Sequence, residues 1–458
     1  MHLRPCFIAQ LLWCLTACAR ARGPAPDASG ALAFTHVTVI DGGSSVPRAD
    51  RTVVVRGRHV VADGPSADTR VPADARVVEG RGKFLIPGLW DMHVHSVVPG
   101  GHDVLSLYVK NGVTGVRDMA SEWATLQQWR REIAAGALVG PRIVASGPYL
   151  EGGDVPIPHL LVRRPEDAQP AVDSLVRLGV DFVKVHSQLT RETYFAIARA
   201  ARARRITFAG HVPRSVSAGE ASDSGQHSIE HLLTIPNRCT PDEAKALEPR
   251  FPIQSVFGKC TTDDLAPLFA RFVHNDTWMV PTLVAQLEVA LWPTTQVPGD
   301  SLARYLPDTL RRYVAAIFPM APDIPPGADV VGRALFDKRV ALVGAMHRAG
   351  VHIMPGTDAP LRNSPPGFGL HEELTYFVRA GFSPFEALRA ATLEPAQFLG
   401  VTDSLGTVGP GKLADLVLLD ANPIADIANL RRISAVVANG RFFEVRRDAA
   451  GHHLSAGP

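Results

Sequence analysis

The sequence predicts an α/β fold, a (β/α)8 TIM barrel with a small β-sandwich domain built from both ends of the chain. Three observations favour this fold class. Eight short apolar runs between residues 84 and 359 have the length of β-strands, and helical stretches follow several of them. The two ends of the chain instead carry β-type alternation and turns. Alternating strand and helix units with eight strands are typical of a parallel barrel.

The chain ends provide the predicted sandwich. Residues 31–83 contain alternating runs that Asp and Gly residues separate, and the stretch 405–447 repeats this pattern. The second stretch also contains Asn439-Gly440, a dipeptide that favours a hairpin turn. We therefore expect 31–83 and 405–447 to form one composite β-sandwich, with the barrel of residues 84–404 inserted between them.

The barrel prediction depends on the order of strands and helices. The strand candidates are 84–95, 113–119, 141–148, 181–186, 206–211, 227–232, 278–284 and 351–359. The helical stretches include 122–135, 165–178, 190–204, 333–349 and 383–399. Residues 285–332 are Pro-rich and poorly periodic, which is typical of a lid or binding loop.

The N-terminus predicts export. Arg4 precedes an apolar stretch, 7–17, that fits a secretory signal and is too short to span a membrane. Its end, Leu15-Thr16-Ala17-Cys18, resembles a bacterial lipobox and implies a lipid on Cys18. We expect the residues after it, 19–30, to form a flexible tether. The alternative is an ordinary cleaved signal over residues 1–18. Either way we expect an exported, periplasmic protein, and the lipobox adds an anchor to a bacterial membrane.

Cysteine usage and charge limit the partners. Cys239 and Cys260 follow the predicted signal, and in an exported protein they are candidates for one disulfide or remain two separate thiols. The net charge is only +2, which argues against a nucleic-acid partner. Contact with a membrane would come through the lipid anchor alone, and the pattern leaves a homo-oligomer open.

Six polar residues stand at the ends of predicted barrel strands, where such folds place their active sites. His93 and His95 are two residues apart and so share one face of a strand. The other four follow at the ends of later strands: Lys184, His211, His231 and Asp358. Imidazole nitrogens and a carboxylate that converge are ligands for a Zn²⁺-type cation. A buried lysine is costly unless it is paired or chemically changed.

The sequence around these positions resembles the metal-dependent amidohydrolase superfamily. The run Pro87-Gly88-Leu89-Trp90-Asp91-Met92-His93-Val94-His95 is similar to its PG(L/F)xDxHxH pattern. The run from Gly406 to Leu416 is similar to its return into the sandwich. The resemblance spans residues 31–447 and is strongest to the imidazolonepropionase-like and Xaa-Pro dipeptidase-like branch.

The resemblance implies two divalent metal ions, with zinc as the expected metal. His93, His95 and Asp358 would hold the first ion, and His211 with His231 the second. Lys184, carboxylated by CO₂, would bridge them. Asp358 would also be the catalytic residue that carries a proton to the leaving nitrogen.

Three further residues are candidates for substrate contact, each with a structural alternative. Arg117 ends the second barrel strand and could instead form an ion pair at the rim. Tyr149 follows the third strand and could instead be a packing residue. His186 lies two residues beyond Lys184 and could instead be a rim histidine.

The predicted function is hydrolysis of the C–N bond of a small substrate such as a dipeptide or an N-acyl amino acid. Related alternatives are a cyclic amide, imidazolone or lactone hydrolase, and a one-metal deaminase with unmodified Lys184. An alternative from another class is a surface lipoprotein that binds a ligand with a degenerate barrel. Such a binder would have no use for Asp358.

Overall fold

The structure is a computed structural model that describes residues 30–155, 158–232, 235, 261–291, 306–317, 328–361, 364–448 and 451–456. The predicted signal, nearly all of the tether, and the residues Cys18, Cys239 and Cys260 lie outside the described residues. Export, lipidation and the disulfide therefore stay predictions. Among the described helices, none combines the length and apolarity needed to cross a membrane.

Both chain ends contribute to one nine-stranded sheet, with strands numbered in chain order. The N-terminal strands are β1 (Leu32–Val39), β2 (Arg48–Arg56), β3 (His59–Pro65), β4 (Arg76–Glu79) and β5 (Phe84–Pro87). The C-terminal strands are β15 (Leu416–Leu419), β16 (Ile433–Ala438), β17 (Arg441–Asp448) and β18 (Gly451–Ala456). The strand order is β18-β17-β16-β15-β5-β1-β2-β3, and β4 pairs with β1.

The junction of the two ends is the antiparallel pair β5–β15, in which Leu85 lies opposite Leu418. Both side chains are buried in one apolar cluster with Phe34 and Val53. Burial on this scale favours pairing because each such side chain contributes roughly 1.5–3 kcal/mol. The pairing of the two ends agrees with the sequence; a sandwich of two sheets stays a prediction.

The inserted region contains two parallel sheets. The first has the order β6 (Leu89–Val94), β7 (Val113–Asp118) and β8 (Arg142–Ala145). The second has the order β10-β9-β11-β12-β13-β14, with β9 (Tyr149–Glu151), β10 (His159–Leu161), β11 (Val183–Val185), β12 (Phe208–Gly210), β13 (Ser228–Glu230) and β14 (Trp278–Val280). Within each sheet the carboxyl ends of the strands therefore lie at one edge.

The prediction of a strand over 351–359 was wrong. This segment makes only two isolated parallel bridges, Val94 to Ala359 and Met279 to Ile353. Pro355 lacks a backbone N–H, and Asp358 has a left-handed backbone with φ 58°, so neither fits a regular ladder. The bridges still hold the segment between β6 and β14, where an eighth strand was expected. Closure of the barrel stays a prediction.

The described helices match most of the predicted ones. Their bounds are His102–Lys110, Trp123–Ala134, Ala168–Leu178, Arg191–Arg204, Ala218–Asp223, Ala266–His274, Leu283–Leu291, Asp308–Ile317, Ala328–Arg348, Phe368–Ala380, Pro384–Ala390 and Leu393–Phe398. Short 3₁₀ helices cover Pro165–Asp167, Asp263–Leu265 and Ile427–Arg431. The predicted helix 383–399 is split by Thr392, whose backbone is not helical.

The prediction that residues 285–332 form a loop was wrong for the parts that the structure describes. Most of the helix Leu283–Leu291, all of Asp308–Ile317 and the start of Ala328–Arg348 lie within this range. Leu310 and Val314 are four residues apart and pack with Leu306 against Val104. A short apolar face of this kind is stabilised by tertiary packing, which local periodicity underestimates.

Candidate metal centre

All six sequence-predicted residues line one cavity of about 310 Å³ at the carboxyl ends of the parallel strands. His93 and His95 come from the end of β6, Lys184 from β11, and the remaining ones from the segments after β12, β13 and the bridge at Ile353: His211, His231 and Asp358. Residues that are 265 positions apart at the extremes (93 to 358) thus meet, as the strand-end pattern predicts.

The donor atoms form a compact group around Asp358. Its Oδ1 lies 3.4 Å from His93 Nε2 and 3.2 Å from His95 Nε2. Ligand atoms of His93, His231 and Asp358 all lie within 4.8 Å of one another. The ring centroids of His211 and His231 are 4.8 Å apart. This trio combines two residues predicted to bind the first ion with one predicted to bind the second. The two predicted ligand sets are therefore adjacent.

Backbone geometry presents two of these residues. His231 has φ 65° and Asp358 has φ 58°, conformations that are uncommon for non-glycine residues and cluster at functional sites. Asp91 holds the segment before Asp358, because its two carboxylate oxygens accept from Thr357 N at 3.0 Å and from Thr357 Oγ1 at 2.6 Å. Position 356 requires glycine, because a Cβ atom there would lie only 2.7 Å from the Cβ atom of His93.

Each histidine of the group has a hydrogen-bond partner on Nδ1. His93 Nδ1 lies 2.8 Å from Glu230 Oε2, and His95 Nδ1 lies 3.0 Å from the carbonyl of Ala120. The partners of the other two are hydroxyls: Ser187 Oγ is 2.7 Å from His211 Nδ1, and Thr282 Oγ1 is 2.6 Å from His231 Nδ1. Partners of this kind orient metal-binding imidazoles and leave Nε2 available.

The polar partners that support this centre were not predicted from the sequence. Glu230 directly precedes His231, and Asp91 precedes His93 by two residues. Both are acidic residues inside apolar strands, and that pattern was the available signal, because a carboxylate in a buried strand needs a partner. Ser187 and Thr282 lie in loops, and their sequence gives no comparable signal.

Burial favours the neutral form of three of the imidazoles, those of His93, His211 and His231. It lowers the pKa of His93 and of His211 well below the ordinary value of 6.5. It also lowers the pKa of His231 to about 4, although nearby Asp358 opposes the shift. Neutral imidazoles have the free electron pair that a metal ligand requires.

The residues fit a divalent cation. His93 Nε2 is fully buried and has no hydrogen-bond partner among the described residues. An unpartnered buried nitrogen is costly unless something else occupies its electron pair. Imidazole nitrogens and a carboxylate oxygen within 4.8 Å are the donor set that Zn²⁺ or a similar ion prefers. The geometry therefore favours a metal centre, as predicted.

Lys184 is 2% exposed and lines the same cavity. Burial lowers the pKa of its amine from 10.5 to about 8, and the charges of Asp358 and Glu230 only partly oppose this. An amine with such a pKa is uncharged for an appreciable fraction of the time near neutral pH. A neutral amine is the form that can react with CO₂.

Tyr149 and His186 form a second wall of the cavity. Their rings stack with centroids 4.5 Å apart, and His186 also lies 4.3 Å from His211. The buried carboxylate of Glu151, which the sequence analysis missed, is hydrogen-bonded to His186 Nδ1. The hydroxyl of Tyr149 is buried without a hydrogen-bond partner among the described residues. Both predicted contact residues therefore line the cavity, Tyr149 with its hydroxyl buried and His186 with its imidazole partly exposed.

The structure does not bring Arg117 to this cavity. Its side chain is 1% exposed and makes an ion pair with Glu230, from Nη2 to Oε1, at 2.7 Å. Its other nitrogens donate to the Met92 carbonyl and to Ser228 Oγ. Arg117 lines a different cavity, of about 330 Å³, near the amino ends of the strands. Arg117 does form an ion pair, as the alternative stated, but the pair is buried among the strands and does not lie at the rim.

Comparisons with known proteins agree with this geometry. A protein-family model with the description "Amidohydrolase family" matches residues 84–443 of the chain. The chain is similar to an imidazolonepropionase from Geobacillus kaustophilus, with 24% identity over 367 residues that cover 76% of this chain and 77% of that protein.

Two solved structures resemble the chain over most of its length. A Xaa-Pro dipeptidase with methionine bound in its active site matches with a TM-score of 0.66 and 21% identity, covering 90% of this chain and 100% of that one. A bottromycin amidohydrolase matches with a TM-score of 0.70 and 23% identity, covering 90% of this chain and 87% of that one. These likenesses support the fold class, a barrel with an additional domain.

Proposed function

The chain belongs to the amidohydrolase family, and we propose that it is an exported enzyme that uses two divalent metal ions to hydrolyse a C–N bond of a small substrate. The observation that carries this proposal is the meeting of six separately encoded residues around one cavity: His93, His95, Lys184, His211, His231 and Asp358. Family membership makes the chain a hydrolase. The complete residue set argues against the ligand-binding alternative.

In this proposal His93, His95 and Asp358 would hold one ion, and His211 with His231 would hold the other. Lys184, as a carbamate, would supply oxygen ligands to both. Two zinc ions bound there would polarise a substrate carbonyl and lower the pKa of water toward ~7. As a carbamate, Lys184 would be an anion beside the two metal cations instead of a buried ammonium. The cost of an unpaired buried charge on the lysine would then disappear.

Asp358 is the proposed proton carrier. Burial raises the pKa of its carboxyl group, but interactions with His95, His231 and Lys184 outweigh burial, so the net shift is downward. The carboxylate is therefore ready to accept a proton from the attacking water. Its Oδ1 lies among the imidazoles, from where it can pass that proton to the leaving nitrogen.

The proposed substrate is a dipeptide or an N-acyl amino acid. The cavity of about 310 Å³ has the size for such a molecule, and Tyr149 and His186 offer polar contacts at its wall. The Xaa-Pro dipeptidase supports a peptide-like substrate. The imidazolonepropionase favours a second candidate, the opening of an imidazolone or related ring. Export to a bacterial periplasm with a lipid on Cys18 is part of the proposal and rests on the N-terminal sequence alone.

Metal analysis and a substrate screen test the proposal. We expect about two zinc ions per chain, as in other two-metal hydrolases. The zinc-loaded protein should hydrolyse members of a library of dipeptides and N-acyl amino acids, with imidazolones and lactones included as a separate set. Activity confined to the separate set would select the second candidate. Purified folded protein that takes up no divalent metal would contradict the proposal.

A further inference from the structure

Three side chains from the two parallel sheets form a buried chain beneath the candidate metal centre. Arg117 comes from β7, Glu230 from β13 and His93 from β6. Arg117 Nη2 lies 2.7 Å from Glu230 Oε1, and Glu230 Oε2 lies 2.8 Å from His93 Nδ1. The side chains of Glu230 and His93 are 0% exposed. We refer to Arg117 and Glu230 as the supporting pair.

The hydrogen bonds determine which nitrogen of His93 carries its proton. Oε1 of Glu230 accepts from Arg117 and from Ser228 Oγ, which itself accepts from Arg117 Nη1. These two donors both lie on Oε1, which leaves Oε2 of the carboxylate as the acceptor for His93. His93 Nδ1 is therefore the donor, and the electron pair of the neutral ring lies on Nε2. That nitrogen is buried without a partner and lies 3.4 Å from Asp358.

Packing holds the guanidinium of Arg117 in place from both sides. The rings of Phe182 and Phe398 lie 5.5 Å and 5.1 Å from its Cζ. Its Nε donates to the carbonyl of Met92, the residue that precedes His93. Arg117 is thus bound both to the strand that carries His93 and to the carboxylate that orients its ring.

The support of His93 differs in kind from that of the other histidines. His95 donates to a neutral carbonyl, and His211 and His231 each contact a hydroxyl, which can either donate or accept. Within the described part of the chain, His93 alone among the four has a carboxylate behind it. A carboxylate makes the imidazole a stronger ligand and fixes its tautomer, and removing such a partner typically lowers metal affinity about 10- to 100-fold.

We propose that Arg117 and Glu230 are positioning residues that fix His93 with its proton on Nδ1 and thereby set the affinity of the ion that His93 binds. The inference rests on the proposed function, because it assumes that His93 is a metal ligand. It assigns a role to Arg117 that does not involve the substrate. It also predicts that the two metal positions differ, with the position that includes His93 being filled first and emptied last.

Zinc competition provides the test. Apo protein, prepared by chelation, is titrated with Zn²⁺ against a chromogenic chelator. Glu230→Gln should weaken the tighter site about 10- to 100-fold, because a side-chain amide has one acceptor and cannot serve both Arg117 and His93. Glu79→Gln, on the exposed strand β4, is the matched control and should bind as wild type does.

A second readout separates positioning from general damage. In ¹⁵N-histidine spectra of the apo protein, His93 should give the Nδ1–H tautomer in wild type and lose that preference in Glu230→Gln. Arg117→Lys keeps the charge but loses the fork of donors, and it should also weaken zinc binding. The double variant should be less impaired than the product of the two single effects, because both act through His93. Arg117→Lys takes over as the test if Glu230→Gln does not fold.

The outcomes are distinguishable. Wild-type protein that binds no zinc overturns the proposed function and this inference with it. Wild-type protein that binds zinc, combined with a folded Glu230→Gln variant whose zinc affinity lies within twofold of wild type, overturns this inference alone. An unchanged His93 tautomer in that variant overturns it as well.

Discussion

The two ends of the parallel strands differ in what their polar residues do. At the carboxyl ends, buried histidines, Lys184 and Asp358 face one cavity, and His93 Nε2 lacks any hydrogen-bond partner among the described residues. At the amino ends, charged side chains form ion pairs with each other. Arg142 at the start of β8 binds Asp415 at 3.0 Å, and Asp181 before β11 binds Arg130 and the backbone of Ala145.

This difference indicates that one set of strands serves two purposes. The amino ends connect the parallel strands to the nine-stranded sheet, since Asp415 directly precedes β15 and Arg441 of β17 donates to Gly136. At the carboxyl ends His93 Nε2 has no hydrogen-bond partner among the described residues, and the site residues His231 and Asp358 have left-handed backbones, features that cost stability and suit ligand binding. Mutations at the two ends should therefore separate activity from stability, and the following predictions test that separation.

The largest effect is expected for Asp358→Asn. The amide cannot accept and pass on a proton, so kcat should fall by about 10²–10⁴-fold. The variant should keep its fold and still bind metal, because the histidines remain. The measurement is kcat on the best substrate of the screen together with metal content per chain. Near-native turnover in the folded variant would show that Asp358 is not the proton carrier.

Lys184→Ala should have the next largest effect. Without the carbamate each ion loses a ligand, so we expect lower metal content and at least ~100-fold lower activity. The matched control is Lys110→Ala at the end of the helix His102–Lys110, outside the cavity lining. Mass spectrometry under native conditions should also detect the mass of one CO₂ in wild type only. Full activity of Lys184→Ala would rule out the bridging role.

The buried carboxyl group of Glu373 allows a test of how ionisation of a buried acid affects the stability of the fold. Its two oxygens accept from Leu283 N and Val284 N, and burial raises the pKa of its carboxyl group to about 8. Because this folded-state pKa exceeds the unfolded value of 4.5, ionisation destabilises the fold, and the free energy of unfolding should decline as pH rises from about 4.5 to 8.

The variant Glu373→Gln isolates this contribution. It loses one of the two hydrogen bonds and should be less stable than wild type at pH 5, but the deficit should shrink or reverse at pH 9. Urea denaturation at several pH values measures the difference. A deficit that is constant across this range would contradict the assignment to Glu373.

Arg142→Ala should affect stability and leave chemistry unchanged. The side chain of Asp415 is 4% exposed, so removing Arg142 leaves a nearly buried carboxylate with fewer partners. We expect the free energy of unfolding to fall by about 1–3 kcal/mol, measured by denaturant titration. The kcat of the metal-loaded variant should match that of wild type. A large loss of kcat would break the proposed separation between the two strand ends.

Tyr149→Phe should give the smallest effect. It removes one hydrogen-bond donor and keeps the stacking on His186, so KM should rise about 3- to 10-fold with little change in kcat, as expected for a hydrogen bond of about 1 kcal/mol. Steady-state kinetics on the best substrate checks this. An unchanged KM would return Tyr149 to its alternative role as a packing residue.

Much of the fold and the candidate site follows from the sequence because the signals are local. His93 and His95 share a strand face, and Lys184, His211 and His231 each end a short apolar run, so strand geometry alone directs them to one edge. The helix at Asp308–Ile317 was missed because it lies in a Pro-rich stretch that was interpreted as one loop, although Leu310 and Val314 give it an apolar face that packs on Val104. The sequence predicted the strand that carries Arg117. The direction of its side chain, however, depends on the ion pair with Glu230.

The sequence by itself determined which strands carry chemistry and which residue types lie at their ends, since period and spacing are properties of the chain. Only the tertiary structure decided the partners: Glu230 behind His93, Asp91 behind Thr357, and Glu151 behind His186. Hydrogen bonds between distant strands depend on the register of those strands. They also depend on which acidic groups are buried, because a buried acidic group needs a hydrogen-bond donor. Local sequence specifies neither of these.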